Sequence, residues 1–174
     1  MGFRDRFQNL KETVGQWADS AGGGSLDRKI ERNLAEMESG TEIERSAAVQ
    51  ALVIQAQTDD KWADPIITSF LRVLPDQLAS PQEAIIDGLL ELRKVRVSRE
   101  EEIFETIQET LDSPYPSVRS KVVDIWTRFS LKSDTKTSDT IAVLFEMLSD
   151  DDKDIRYQTQ ESLSKILHLS LIHI

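Results

Sequence analysis

Cysteine is absent from this chain, and histidine occurs only twice, at His168 and His173. Disulfides, thiolate nucleophiles and Cys-ligated zinc are thereby excluded, and the His-dependent triads of covalent catalysis have almost no material. Glycine (7) and proline (5) are scarce among 174 residues, which argues against an all-β or disordered chain. No stretch nears the roughly 18 consecutive apolar residues of a membrane span. The opening Met1-Gly2-Phe3-Arg4-Asp5-Arg6 has charges where a signal peptide carries its apolar region. Arg6 also stands where a myristoylation signal has Ser or Thr. A cytoplasmic location is therefore expected.

Positive charge is in short supply. Lys and Arg number 21 against 31 Asp and Glu, a net charge of −10. General nucleic-acid binding rests on clustered Lys and Arg that neutralise phosphates, so this balance disfavours it. One basic cluster stands out, Arg93, Lys94, Arg96 and Arg99. It reads as a solvated turn, or as a contact for an acidic or phosphate-bearing partner.

What the sequence does contain is a repeat. Ile30, Ile67, Phe104 and Ile141 follow one another at intervals of thirty-seven residues. Met37, Leu74, Leu111 and Leu148 keep the same interval, as do Leu52, Leu89, Trp126 and Leu163. The column Ala48, Ile85, Val122 and Thr159 follows with one polar member, and Arg45, Gln82, Arg119 and Arg156 form a polar column. Apolar columns held in phase without an insertion mark a repeat architecture.

Each unit reads as two helices. Thr41 is expected to open the second helix of unit one, with Glu44 at N3. Ser80, Pro81 and Glu83 are expected to serve unit two as cap, first helical residue and N3 partner. Ser98 is expected to cap the first helix of unit three, with Glu101 three residues later completing a capping box, and the helix's apolar stripe is Ile103, Phe104, Ile107 and Leu111. Asp112-Ser113-Pro114-Tyr115-Pro116 ends that helix, and a second begins near Ser117. Unit four is expected as helices over 138–148 and 155–167. A hairpin this small cannot bury its apolar stripe alone, so successive hairpins must stack.

The starts of the second helices resemble the HEAT repeat, a helical hairpin with Asp, then an aliphatic residue and Arg, at that place. Asp150-Asp151-Asp152-Lys153-Asp154-Ile155-Arg156 carries the pattern, and Ser113-Pro114-Tyr115-Pro116-Ser117-Val118-Arg119 is similar with Ser for Asp. The resemblance covers 26–168. It implies an all-α, right-handed superhelix of about four hairpins, over 26–62, 63–99, 100–136 and 137–168. In the family, Asp and Arg build a polar ladder between successive units. Only unit four matches both positions here, which implies a broken ladder. The family's first-helix proline is replaced by Thr68, Glu105 and Ala142. Family members are mainly scaffolds for protein partners. Two other readings stay open: a nucleic-acid-binding or base-repair module, and a regulatory or lyase-type subunit acting on a cofactor-bearing protein.

Outside the repeat, Phe3, Phe7, Leu10, Val14 and Trp17 recur at spacings of four, three, four and three, the seam of an amphipathic helix within 1–20. Ala21-Gly22-Gly23-Gly24-Ser25 follows as a linker. This helix could cap the array, bind a partner or a second copy, or lie on a membrane surface; its mixed charge weakens the last. At the other end, residues 169–174 (Leu-Ser-Leu-Ile-His-Ile) resemble the translation of a transposon-end adaptor used in preparing sequencing libraries. That likeness implies that the native sequence departs from this one after His168.

No catalytic, cofactor or metal site is expected, and the chain reads as a non-enzyme. Gly22-Gly23-Gly24 lacks the Lys-Ser/Thr of a phosphate loop. Asp150-Asp151-Asp152 lacks the Gly and distal Glu of a calcium loop. The candidate partner-binding residues are Val49, Ile86 and Val123, with Val53, Leu90 and Thr127 one turn on, as an outward apolar strip of the second helices. The competing reading packs them against neighbouring units. Trp62 is the candidate contact aromatic, and Asp87, Asp124 and Glu161 fall on the groove positions.

Overall fold

The computed structural model describes residues 25–131 and 137–172, with side chains over 28–131 and 140–168. The N-terminal seam Phe3, Phe7, Leu10, Val14 and Trp17, with linker residues 21–24, lies outside them. The described residues are all helical, without strands: α1 (Ser25–Ser39), α2 (Glu42–Thr58), α3 (Ala63–Val73), α4 (Ala79–Leu92), α5 (Glu100–Glu109), α6 (Pro116–Ser130), α7 (Thr137–Met147) and α8 (Lys153–Ile172). Short 3₁₀ turns at 60–62, 74–76, 97–99 and 110–112 join them. Among the described residues no helix is long and apolar enough to cross a membrane. Two compact units divide the chain, with the boundary inside α5 after Ile103.

In the first unit, α1 and α2 form an antiparallel hairpin around Ile30, Leu34, Met37, Leu52 and Ala56, all buried. The turn between them is fixed by chemistry written in the sequence. Thr41 caps α2: the Glu44 N–H donates to Thr41 Oγ1 at 3.4 Å, and the Thr41 N–H donates to Glu44 Oε2 at 2.8 Å. The backbone N–H of Thr41, and then its hydroxyl, hold the Glu44 carboxyl below its ordinary range. Thr41→Ala is expected to lower stability by about 1 kcal/mol in urea unfolding. An unchanged midpoint would mean that the box is not formed.

The next hairpin, α3–α4, repeats the plan around Ile67, Phe70, Leu74, Ile85 and Leu89, all buried. Its cap differs from the expectation. The helix begins at Ala79 after Leu78, which makes no side-chain cap. Ser80 lies inside the first turn, and its hydroxyl pairs with that of Ser46 on α2 at 3.1 Å. About two turns further along, a Cβ on Gly88 would lie 2.9 Å from Val53 Cγ2. Two contacts of similar offset, Ser46 with Ser80 and Val53 with Gly88, mean that α2 and α4 run parallel and in register. Glu38 and Arg72 link the first helices, α1 and α3, in the same way.

In the second unit, α6, α7 and α8 enclose Val123, Leu144, Met147, Ile155, Leu163 and Ile166. Phe104 stacks at a tilt on Trp126 (centroids 5.2 Å apart) and meets Phe129 edge-on at 4.8 Å. Thr159, the polar member of a core column, is fully buried because its hydroxyl donates to the Ile155 carbonyl at 2.7 Å within its own helix. The second helices again lie side by side, with the Ser120 hydroxyl donating to Gln158 Oε1 at 2.7 Å. The first helix of this hairpin pair, α5, starts at Glu100, after Ser98 has been taken into a 3₁₀ turn.

Candidate interaction surface

A stacked helix has more than one buried side, and this decides where the outward face falls. On α2, Ala48, Leu52 and Ala56 point into the hairpin, while Ser46 and Val53 point at α4. Val49 lies between those two arcs and is buried. Ile86 and Val123 are fully buried, Thr127 is buried with its hydroxyl on the Val123 carbonyl at 2.7 Å, and Val53 and Leu90 are half-buried. The six residues expected to form an outward strip therefore belong to the packed sides of their helices. Trp62 is buried as well, with the Lys61 ammonium 5.5 Å from its ring centroid.

The face that α2 turns to solvent carries Ile43, Ala47, Gln50 and Ile54, at spacings of four, three and four. Ile43 is 82% exposed and Ile54 63%, the two most exposed large aliphatics of this helix. The corresponding positions of α4 are Ser80, Ala84, Asp87 and Glu91, all exposed except the half-buried Ala84. In the second unit they are Ser117, Lys121, Asp124 and Arg128 on α6, and Asp154, Gln158, Glu161 and Lys165 on α8. The groove positions read from the sequence, Asp87, Asp124 and Glu161, are thus exposed. Asp124 pairs with Arg128 at 2.7 Å and Glu161 with Lys165 at 3.8 Å, exchanges along one helix that cost little to disrupt.

The basic cluster is already answered by carboxylates. Arg93 pairs with Glu100 at 2.6 Å and Lys94 with Glu91 at 2.7 Å. Arg96 reaches Asp64 at 2.9 Å and Asp60 at 3.3 Å, and Arg99 pairs with Glu102 at 2.8 Å while donating to Thr68 Oγ1 at 2.9 Å. Arg96 and Arg99 tie the 97–99 turn to α3. A phosphate would have to displace these five internal carboxylate contacts to use the cluster.

The acidic run is likewise structural. Asp150 receives a two-pronged bond from Arg119, Nε to Oδ2 at 2.8 Å and Nη2 to Oδ1 at 2.9 Å. Asp152 caps α8 by accepting the Asp154 N–H at 2.8 Å, and the Arg156 guanidinium donates to the carbonyls of Asp150 and Asp151. The Arg119–Asp150 pair forms a polar rung between units three and four of the repeat. Its Arg comes from one repeat and its Asp from the next, so neither unit supplies both partners. In the first unit, Arg45 Nη1 donates to Gln77 Oε1 at 3.1 Å. Beside the rung, an open groove of about 640 Å³ is lined by Leu111, Asp112, Pro114, Glu146, Met147 and Asp151 among others. Among the described residues no group of three or more His, Asp or Glu is arranged to hold a metal ion.

No protein-family model matches this chain, and no curated protein matches it in sequence.

Proposed function

We propose that this chain is a non-enzymatic, cytoplasmic protein-interaction scaffold: a HEAT-like right-handed superhelix that receives an amphipathic helix or extended peptide of a partner protein on the outward face of its second helices. The observation that carries this reading is the stripe of Ile43, Ala47 and Ile54, two of them largely exposed, on a helix whose other sides are packed. Equal hairpins with parallel second helices explain why such a face exists: stacking occupies the flanks and leaves one side free. Large aliphatics on a rigid, capped helix make good anchors. Covering the two isoleucines is worth about 3–5 kcal/mol at ordinary transfer values. Exposed Glu42, Asp87 and Glu91 border the stripe, so a matching partner segment carries aliphatic anchors with basic flanks.

The test uses two baits, the native chain and Ile43→Glu/Ile54→Glu. Both substitutions lie on exposed positions, so thermal stability should stay within about 0.5 kcal/mol. A partner captured by the native chain should bind the variant at least about tenfold more weakly. Equal titration curves for the two baits would remove this face from the function.

A further inference from the structure

The first twenty-four residues carry an apolar seam outside the phase of the repeat, and the first repeat carries an apolar stripe with Ile43 and Ile54 largely exposed. We propose that the segment holding Phe3, Phe7, Leu10, Val14 and Trp17 is the intramolecular occupant of the α2 face, so that the chain shields its own docking surface. This rests on the reading of Ile43, Ala47 and Ile54 as a docking face.

Reach and direction both fit. Asn33 on α1 touches Gln55 on α2, its Nδ2 donating to Gln55 Oε1 at 3.4 Å. The two helices are antiparallel, so Ser25, at the start of α1, lies about 12 Å along the axis past the Gln55 level, beyond the C-terminal end of α2. Eight residue steps separate Trp17 from Ser25, enough to span up to about 27 Å when extended. Trp17 therefore reaches Ile54. A helical segment entering there and running back along α2 lies parallel to it and antiparallel to α1, the arrangement of each hairpin in the described structure. From Phe7 to Trp17 is about 15 Å of helix, and from Ile43 to Ile54 about 16 Å, so the two stripes match in length.

Charge fits the same direction. With Trp17 at Ile54, the segment's start lies over the start of α2. Arg4 and Arg6 then face the exposed carboxylates of Glu42 and Glu44. A second copy of the chain offers the same chemistry, but without the tether. A linker of this length holds the segment at an effective concentration on the order of millimolar, above any ordinary protein concentration.

The absence of native cysteine makes the test direct. Gln16→Cys/Gln57→Cys, both off the apolar stripes, is treated with a short bis-maleimide and read by mass spectrometry. We expect an intramolecular cross-link whose yield does not change over about a tenfold dilution. Adding Ile43→Glu/Ile54→Glu should cut the yield severalfold. A cross-link mainly between chains, rising with concentration, would make the occupant a second copy and overturn the proposal. So would a yield that the two glutamates leave unchanged. The readout needs no partner, so its failure leaves the scaffold reading standing. If both hold, deleting residues 1–20 should strengthen partner binding; if only the scaffold reading holds, deletion should leave affinity unchanged.

Discussion

Phe70→Ala is expected to destabilise the first unit by about 4 kcal/mol, the largest single loss among its hydrophobic positions. Phe70 is the largest fully buried side chain there. Its ring edge occupies a slot that Gly88 leaves open, since a Cβ on Gly88 would stand 2.8 Å from Phe70 Cε2 and 2.9 Å from Val53 Cγ2. Two effects oppose each other at Gly88. Alanine gains about 1 kcal/mol of helix propensity in the middle of α4. It also inserts a methyl between a ring that has nowhere to go and a valine on the opposite side. Overpacking of that kind costs about 1–3 kcal/mol, so the net effect of Gly88→Ala is a loss of about 1 kcal/mol, and Gly88→Val loses about 3 kcal/mol. Phe70→Leu/Gly88→Ala should lose less than the sum of its parts, because the smaller side chain makes room for the methyl. Urea unfolding of the four variants checks this. Were Gly88→Ala to stabilise by the full propensity gain, α4 could not lie so near Phe70 and Val53, and the parallel register of α2 and α4 would be wrong.

Gly88 also shows what the sequence conceals. A lone glycine in a helical stretch signals either tolerance or close approach, and only the neighbours decide which. The columns of thirty-seven were legible because burial in a hairpin repeats: Ile30, Ile67 and Phe104 are buried, as are Leu52, Leu89, Trp126 and Leu163. The Thr41 cap was legible because its chemistry is local. The outward face was not. Val49, Ile86 and Val123 look like surface apolar residues when only the hairpin core is counted, yet all three are buried. A signal was available. Outward columns lose their apolar character in later repeats, as Ile54 gives way to Glu91, Arg128 and Lys165, whereas Val49 is followed by Ile86 and Val123 before Gln160. The Arg119–Asp150 pair was hard to see unit by unit for a related reason, because its two halves come from different repeats.

The Arg119–Asp150 rung is where the second unit is most vulnerable. Asp150 is 5% exposed and Arg119 13%, and Arg119 also donates to the Ser113 carbonyl at 2.8 Å. Asp150→Ala strands a nearly buried guanidinium and removes the acceptor for the Asp152 N–H, so the expected cost is about 3 kcal/mol. Replacing both partners by Arg119→Met/Asp150→Leu should recover most of it, because the desolvation of two charges is removed along with their attraction. The pair also sets an acid limit. The Arg119 guanidinium, with help from the Asp152 N–H, holds the Asp150 carboxyl below its ordinary range despite burial. A group depressed in the folded state contributes its stability in full above its unfolded value, near 4, and loses it as pH falls through the folded value. The native chain should therefore shed this contribution below about pH 4, while Asp150→Asn, weaker at neutral pH, should lack that component of the fall. Salt separates this pair from the exposed ones: Glu161 with Lys165 is screened within one Debye length of about 10 Å at 0.1 M, whereas a pair this enclosed keeps most of its energy. A neutral-pH cost for Asp150→Ala that vanished in high salt would place the rung at the surface, and the stacking of α6 on α8 would need another cause.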